Sequence, residues 1–262
     1  MRLRPWLSVP ALLLAATAGC QSVPYTGRSQ LLLVSEAEEA ALGAEAYAET
    51  LKSARLSQDR AKVDLLRRVG ARIAAAADKP SFRWEFHLID DDRTINAWCL
   101  PGGKVAFYTG ILAVARDEDG IAVVMGHEVA HAIARHGAER MSQGMAVRLG
   151  GAALAAALAD RPAETRALYS EAYGVGSALG VLLPYSRAHE SEADRIGLIL
   201  MAKAGYDPGH ALEFWKRMEE ATGGAGAGAG LDAFLRTHPT DAERQRRIRE
   251  WLPEVREKYG PR

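Results

Sequence analysis

One short apolar segment, residues 121–134, constrains this chain more than any other because it carries the pattern His-Glu-x-x-His. The two histidines, His127 and His131, are four positions apart and therefore project from one face of a helix. Glu128 lies on the adjoining edge of that face. This geometry suits two imidazoles on one zinc ion, with a carboxylate beside the open position of the metal. A pair of hydrogen-bonded core histidines is the alternative that the motif alone leaves open.

A second stretch further along the chain supplies acidic side chains at helical spacing. Glu190 and Asp194 are four residues apart, so both point to one face of a helix, which small and apolar residues share. Buried carboxylates are costly unless they are paired or bind a metal. We therefore predict Glu190 as the third zinc ligand and Asp194 as the acceptor that orients a ligand histidine through its other ring nitrogen. The alternative is a solvated acidic face, which fits Glu192 better than Glu190.

The composition excludes some classes of function. The chain has 262 residues, of which 48% are hydrophobic, and this is enough for one good-sized core. Lys plus Arg and Asp plus Glu both number 33, so no excess charge indicates a nucleic acid or an anionic membrane surface as a partner. No internal repeat indicates a solenoid or a propeller.

The N-terminal residues have the character of a targeting signal. Residues 1–19 contain two arginines, an apolar run over 7–16 and small residues before Cys20. The run is shorter than the roughly 20 residues that span a bilayer, which favours a cleaved signal over a permanent anchor. Because small residues before a cysteine resemble the bacterial lipobox, we predict a lipoprotein-type signal peptide over 1–19, a lipid on Cys20 and a tether over 20–34. Plain secretion is the alternative. By the same resemblance, Gln21 favours the outer membrane.

Hydrophobic periodicity predicts a mostly helical α+β fold. Strand-like alternation is confined to the region before the motif helix, where a Pro-Gly-Gly turn separates two candidates. Helices are predicted at 35–51, 59–77, 117–136, 186–204, 208–220 and 240–251, and strands at 84–88, 96–99 and 104–108. Residues 141–159 are predicted to form either a core helix or a mobile flap over the cleft. We therefore expect a small sheet of about three strands beside the motif helix. The glycine- and alanine-rich run over 223–230 is predicted to be a flexible loop.

The predicted sheet offers a way to bind a peptide. An exposed edge can take an extended peptide as one more strand, a mode that recognises the backbone and tolerates varied sequence. Asn96 and Ala97 open one of the candidate strands, and we predict them as substrate-binding residues. Cys99 lies in the same strand, and we interpret it as a small buried hydrophobe without a chemical role.

Together these motifs resemble the HtpX/CAAX-protease family of zinc metalloendopeptidases, the gluzincins. The resemblance covers roughly residues 22–252 and rests on His127-Glu128-x-x-His131, Glu190-x-x-x-Asp194, Asn96-Ala97 and His238-Pro239. Within the family, the chain is similar to the branch of periplasmic lipoproteins like LoiP and to the Oma-type proteases. The resemblance implies a zincin-like metalloprotease core in a single domain over 35–262, one zinc ion per chain and polypeptide substrates as partners.

The resemblance also implies roles for two residues near the C-terminus. His238 would lie near the zinc, where it either donates to the developing oxyanion or occupies the fourth position of the metal and holds the enzyme latent. Arg244 would assist by fixing the substrate or the oxyanion. The alternative for Thr-His-Pro is a structural role at the end of a loop.

We therefore expect zinc-dependent hydrolysis of peptide bonds. Zinc on His127, His131 and Glu190 would lower the pKa of its bound water to about 7, and Glu128 would accept that water's proton and pass it to the departing amine. By resemblance, the substrates are misfolded or unassembled cell-envelope proteins, and the protein is a bacterial outer-membrane lipoprotein on the periplasmic side. The alternative is a non-catalytic, zinc-binding, chaperone-like envelope lipoprotein, which would need no acid at position 128.

Overall fold

A computed structural model of the chain describes residues 20–177, 183–223, 238 and 242–260. The predicted signal peptide over 1–19 lies outside these residues, as does the predicted loop over 223–230 apart from Gly223. The chain divides into two compact units. The first unit comprises Met1–Ser35 and Arg135–Tyr185, and the second unit comprises Glu36–Ala134 and Ser186–Arg262. The predicted division into leader, tether and peptidase domain stays a prediction.

Among the described residues there are nine helices and five strands, which confirm the predicted mostly helical α+β class. The strands are β1 (Cys20–Ser22), β2 (Ser29–Leu31), β3 (Glu85–Ile89), β4 (Ala97–Leu100) and β5 (Lys104–Tyr108). The helices are α1 (Glu36–Ser53), α2 (Arg60–Ala77), α3 (Thr109–Ala115), α4 (Glu118–Ile133), α5 (His136–Ala157), α6 (Ala163–Ser177), α7 (Leu183–Lys203), α8 (His210–Gly223) and α9 (Ala242–Tyr259).

The second unit contains the predicted three-stranded sheet, in the order β3-β5-β4. The central strand β5 pairs in parallel with β3 and antiparallel with β4. Its residues Val105 and Phe107 are fully buried, as expected of a strand that is covered on both sides. The turn from β4 to β5 uses Gly102 and Gly103, both at φ 83°, a conformation that glycine adopts without strain.

Helix α2 packs on β3 and on α4 through one apolar face. Asp59 caps its start by accepting a hydrogen bond from Lys62 N at 3.1 Å. Leu66, Val69 and Ile73 follow at helical spacing and are fully buried. This packing holds α4, the helix that carries the His-Glu-x-x-His pattern.

Helix α4 is buried on nearly every side. Asp117 caps it by accepting a hydrogen bond from Gly120 N at 2.8 Å, and two further acidic residues in its first turn favour the helix dipole. Every residue from Gly120 to Ala130 is buried. The polar side chains of the motif are therefore fixed inside the protein rather than presented on its surface.

In the first unit, a hairpin of β1 and β2 packs against the start of α5. Arg28 donates two hydrogen bonds to the carboxylate of Glu139, at 2.8 and 2.7 Å, and Leu33 N donates to Ser142 Oγ at 2.8 Å. Further along α5 this cover ends, and Leu149 is 68% exposed. None of the helices in the described part of the chain combines the length and the apolar character that crossing a bilayer requires.

Candidate metal centre

Two helices and one residue near the C-terminus bring four potential metal ligands together. Helix α4 supplies His127 and His131, helix α7 supplies Glu190, and His238 is the fourth residue. One donor atom from each of the four lies within 4.8 Å of the other three. We refer to these four residues as the donor cluster.

The separations between the donor atoms match a small divalent cation. His127 Nε2 lies 3.1 Å from His131 Nε2 and 3.3 Å from Glu190 Oε2, and His131 Nε2 lies 3.3 Å from Glu190 Oε1. A tetrahedral ion with ligands at about 2.0–2.1 Å requires ligand atoms about 3.3 Å apart. His238 Nδ1, at 3.1 Å from His127 Nε2 and 3.0 Å from Glu190 Oε2, lies where a fourth ligand would be. The residues present therefore fit a zinc ion in both chemistry and spacing.

The buried carboxylates in and beside the donor cluster favour a positive charge on the imidazoles or a bound cation. Burial would lower the pKa of His127, but the hydrogen bonds with Asp194 and Glu190 outweigh burial and raise the pKa to about 9. Burial would raise the pKa of Glu190, but His131 and the hydrogen bonds from the imidazoles hold it well below its usual range. A metal ion must displace the proton that His127 would otherwise hold, so metal binding weakens as the pH falls.

Glu128 lies next to the donor cluster with an unused acceptor atom. Its Oε1 is buried and has no hydrogen-bond partner among the described residues, and His238 Nε2 is 3.5 Å away. Burial raises the pKa of Glu128, while the neighbouring His238 and His127 oppose that shift. A buried oxygen without a partner calls for an explanation. A carboxylate with a raised pKa that is free to accept a proton is suited to general-base chemistry.

Behind His127, a buried ion pair fixes the orientation of the imidazole. Asp194 Oδ1 lies 3.0 Å from His127 Nδ1. Arg244 donates to both oxygens of this carboxylate, through Nε at 2.5 Å and Nη2 at 2.7 Å, and its guanidinium carbon lies 3.4 Å from the centre of the Trp215 ring. Arg244 and its hydrogen bonds to Asp194 hold the pKa of that carboxyl below its usual range against the effect of burial. We refer to Asp194 and Arg244 as the support pair.

The sheet presents strand β4 at its edge, next to α4. Asn96 O accepts a hydrogen bond from Tyr108 N at 3.0 Å, which makes these residues a hydrogen-bonded pair at the start of the ladder. Because such pairs alternate along an antiparallel ladder, the backbone groups of Ala97 and Cys99 point away from β5. The Ala97 N–H is not available to a further acceptor, since it already donates to Asn96 Oδ1 at 2.9 Å. Burial raises the pKa of the Cys99 thiol, which keeps it protonated and unreactive.

The comparison with protein families identifies the class to which this site belongs. The profile described as peptidase family M48 matches residues 61–252, which is well over half of the chain. The chain belongs to peptidase family M48. The matched range contains all four members of the donor cluster as well as the support pair.

Relatives of this M48 chain are named as proteases. It is 43% identical over 191 residues to the mitochondrial metalloendopeptidase OMA1 of Schizosaccharomyces pombe, covering 73% of this chain and 53% of that protein. It is 32% identical over 243 residues to the mitochondrial metalloendopeptidase OMA1 of Homo sapiens, covering 88% and 46%. It is 25% identical over 200 residues to the beta-barrel assembly-enhancing protease of Yersinia pestis, covering 76% and 41%. The chain thus spans about half the length of the curated relatives it matches. The predicted family of metalloendopeptidases is confirmed.

The predicted location at a bacterial outer membrane is wrong. Relatives of this M48 chain in fission yeast, budding yeast and Arabidopsis thaliana are mitochondrial by name. The prediction depended on the first 21 residues and on the resemblance to periplasmic lipoproteins, and a short basic and apolar segment is common to targeting signals of several compartments. The structure describes Cys20 as the first residue of β1, and its lipidation stays a prediction.

The structure brings most of the predicted site residues together. Those that meet are Glu128, His127, His131, Glu190, Asp194, His238 and Arg244. Asn96 and Ala97 lie at the edge strand instead, and the roles of all nine residues stay predictions. Sequence reasoning missed Trp215, which lies in the helix predicted at 208–220 and is given no role in the site. No spacing in the sequence signals that this ring supports a guanidinium 29 positions later.

Proposed function

We propose that this chain is a zinc-dependent endopeptidase that cuts extended segments of unfolded or unassembled proteins. One observation carries the proposal: the donor atoms of His127, His131 and Glu190 converge beside a buried carboxylate oxygen of Glu128 that has no hydrogen-bond partner among the described residues. The names of the relatives, which are metalloendopeptidases and a protease, support the same reaction class.

The residues of this chain divide the chemistry between them. His127, His131 and Glu190 would hold a zinc ion, which would supply a water with its pKa lowered to about 7. Glu128 Oε1 accepts a proton from the attacking water and then donates it to the amine nitrogen of the departing peptide. Asp194 holds the proton on His127 Nδ1, so that the lone pair of Nε2 faces the donor cluster.

The edge strand β4 supports unfolded polypeptide as the substrate class. Addition of a strand at this edge uses the outward-facing backbone groups of Cys99 and requires an extended partner. A segment that is already paired within a folded protein cannot offer its backbone in this way. We expect reduced, carboxymethylated lysozyme to be cut and native lysozyme, with the same sequence, to remain intact. Equal cleavage of both forms would contradict this substrate class.

The reaction itself is tested with Glu128→Gln and a matched control on the same helix, Glu118→Gln. Glu118 lies in the first turn of α4, where it pairs with surface arginines outside the donor cluster. We expect Glu128→Gln to retain zinc but to lose proteolysis by at least about 100-fold, because it removes the proton acceptor. The control should retain activity that a chelator abolishes. Zinc binding without internal peptide cleavage by the wild type would support the non-catalytic alternative.

We further infer that His238 holds the site latent. Its Nδ1 lies among the donor atoms of the cluster and its Nε2 lies near Glu128, so that it competes with water for the fourth position. We expect His238→Ala to raise basal proteolysis. A fall of about 100-fold would instead assign the residue to stabilisation of the oxyanion. Unchanged turnover would make it structural.

A further inference from the structure

The two helices that carry the metal ligands touch at a pair of glycines. A Cβ atom added to Gly197 on α7 would lie 3.1 Å from both Gly126 C and His127 N on α4. A Cβ added to Gly126 would lie 3.0 Å from Gly197 O. Ordinary contacts of a Cβ atom are longer than this, so α4 and α7 approach each other as closely as their backbones permit.

This contact is placed next to the ligands on both helices. Gly126 immediately precedes His127. On α7, Gly197 lies three residues after Asp194 and seven after Glu190, which puts all three on one face of the helix. The crossing point is therefore about 4.5 Å along the helix axis from Asp194 and about 10.5 Å from Glu190, at a rise of about 1.5 Å per residue.

The distances that define the site depend on how far apart these helices lie. His127 Nδ1 is 3.0 Å from Asp194 Oδ1, and His127 Nε2 is 3.3 Å from Glu190 Oε2. Relief of a 3.1 Å methyl contact requires a movement of a few tenths of an ångström. Such a movement lengthens both distances together, because all the groups involved are attached to the same two helices.

We infer that Gly126 and Gly197 are positioning residues for the metal site: backbone contact between α4 and α7 sets the separation between the histidine and carboxylate ligands. A side chain at either position would weaken metal binding before it disrupted the fold. This inference rests on the proposed zinc site, and it adds two residues that contact neither the metal nor the substrate.

Three glycine-to-alanine variants separate positioning from general packing. Gly197→Ala changes the helix crossing. Gly70→Ala is the matched control, because its added Cβ would lie 2.5 Å from the Phe86 ring in the same unit, away from the donor cluster. Gly174→Ala is a control in open space, where a Cβ meets nothing within 4 Å. The probes are Zn²⁺ affinity by chelator competition, the visible d–d bands of bound Co²⁺ and the melting temperature of the metal-free protein.

We expect Gly197→Ala to bind Zn²⁺ at least about tenfold more weakly than the wild type, a loss typical of disturbed ligand orientation. Its Co²⁺ bands should also change in intensity, since they report the coordination geometry. Gly70→Ala should lower the melting temperature without a change in affinity. Gly174→Ala should leave the affinity unchanged and raise the melting temperature slightly, because alanine favours an exposed helix position over glycine. If Gly197→Ala fails to fold, Gly126→Ala takes its place in the test.

Three results would overturn the inference, and they are distinguishable. Wild-type affinity and wild-type Co²⁺ bands in Gly197→Ala would show that the crossing does not set the ligand separation, and would leave the proposed endopeptidase intact. A wild-type protein that binds neither Zn²⁺ nor Co²⁺ would overturn the proposed function and this inference together. Equal losses of affinity in Gly197→Ala and Gly70→Ala would reduce the effect to general destabilisation.

Discussion

The two sides of His127 differ in how their negative charge is balanced. Behind the ring, both oxygens of Asp194 are bonded to the guanidinium of Arg244, so that the support pair is neutral without any ligand. In front of the ring, the nearest partners of Glu190 are imidazole nitrogens at 3.0–3.3 Å, and Arg244 Nη2 lies farther away at 3.6 Å. These imidazoles balance the carboxylate by taking up a proton or by binding a metal ion in its place. The permanent positive charge, the Arg244 guanidinium, lies where the imidazole must stay fixed. The exchangeable positive charge, a proton or a metal ion, lies at the donor cluster.

This difference makes the two sides separable by experiment. Changes in the donor cluster should act mainly on metal binding and activity. Changes in the support pair should act on stability as well, because they leave a buried charge without its partner. Substitution of a titratable group outside both the donor cluster and the support pair should change stability slightly and leave metal binding unchanged.

The largest effect is expected from His131→Ala, which removes a ligand from the donor cluster. Substitution of a residue that hydrogen-bonds to a metal ligand lowers affinity by up to about 100-fold. Removal of the ligand itself should lower zinc affinity by more than this, and proteolysis should be lost. At a zinc concentration of about 100 times its dissociation constant, the wild type should gain about 2.7 kcal/mol of stability, whereas the variant should gain almost none. Unfolding in urea with and without zinc measures both. An equal gain in the variant would place the bound metal elsewhere.

A smaller effect on metal binding and a large one on stability are expected from Arg244→Ala. Buried Asp194 would lose its countercharge, at a cost of about 3–5 kcal/mol in the free energy of unfolding of the metal-free protein. Zinc affinity should fall by about 10- to 100-fold, because the carboxylate no longer orients His127 firmly.

The double variant Asp194→Leu with Arg244→Leu sharpens this comparison. It removes both charges, so most of the lost stability should return, while the zinc affinity should stay reduced. Recovery of zinc affinity along with stability would contradict a role of the support pair in orienting the ligand.

The smallest effect is expected at His87, which lies in β3 outside both groups. Its Nδ1 is 2.6 Å from the hydroxyl of Tyr47, and burial lowers its pKa. The folded protein therefore binds this proton less readily than the unfolded chain, and stability should fall as the pH drops below the ordinary histidine pKa of about 6.5. Because His87 is only half-buried, the loss should be about 0.5 kcal/mol or less.

His87→Gln should flatten this part of the stability curve between pH 7 and pH 5 and leave zinc affinity unchanged at pH 7. Urea unfolding at each pH gives the comparison with the wild type. A curve that remains as steep in the variant would assign the acid sensitivity to other groups.

The sequence predicts those parts of the site that depend on local periodicity. Spacings of four residues place His127 with His131 and Glu190 with Asp194, and the alternation around β5 predicts the sheet. It does not predict the contact of Trp215 with Arg244, because tertiary packing alone brings a ring and a cation from different helices together. The sequence also does not predict which backbone N–H and C=O groups of β4 face away from β5. That depends on the register in which the two strands pair, which the sequence of one strand does not reveal.

The location is the prediction that failed, for a different reason. The ligand motifs combine several residue types whose geometry serves one purpose, whereas the N-terminal segment has only a charge and a run of apolar residues. Features so simple are used by many sorting pathways, and they carry no information about which one reads them.

The distance along the chain between the ligands has a consequence for newly made protein. A ribosome releases the pair of histidines on α4 long before Glu190, which follows His131 by 59 positions, and His238 comes 48 positions later still. Until the chain between His131 and Glu190 has folded, a nascent chain offers a metal ion only two imidazoles. Bringing Glu190 to the histidines costs the conformational entropy of closing that segment into a loop. The proposed three-ligand site is therefore a product of tertiary folding, and the motif helix alone cannot form it.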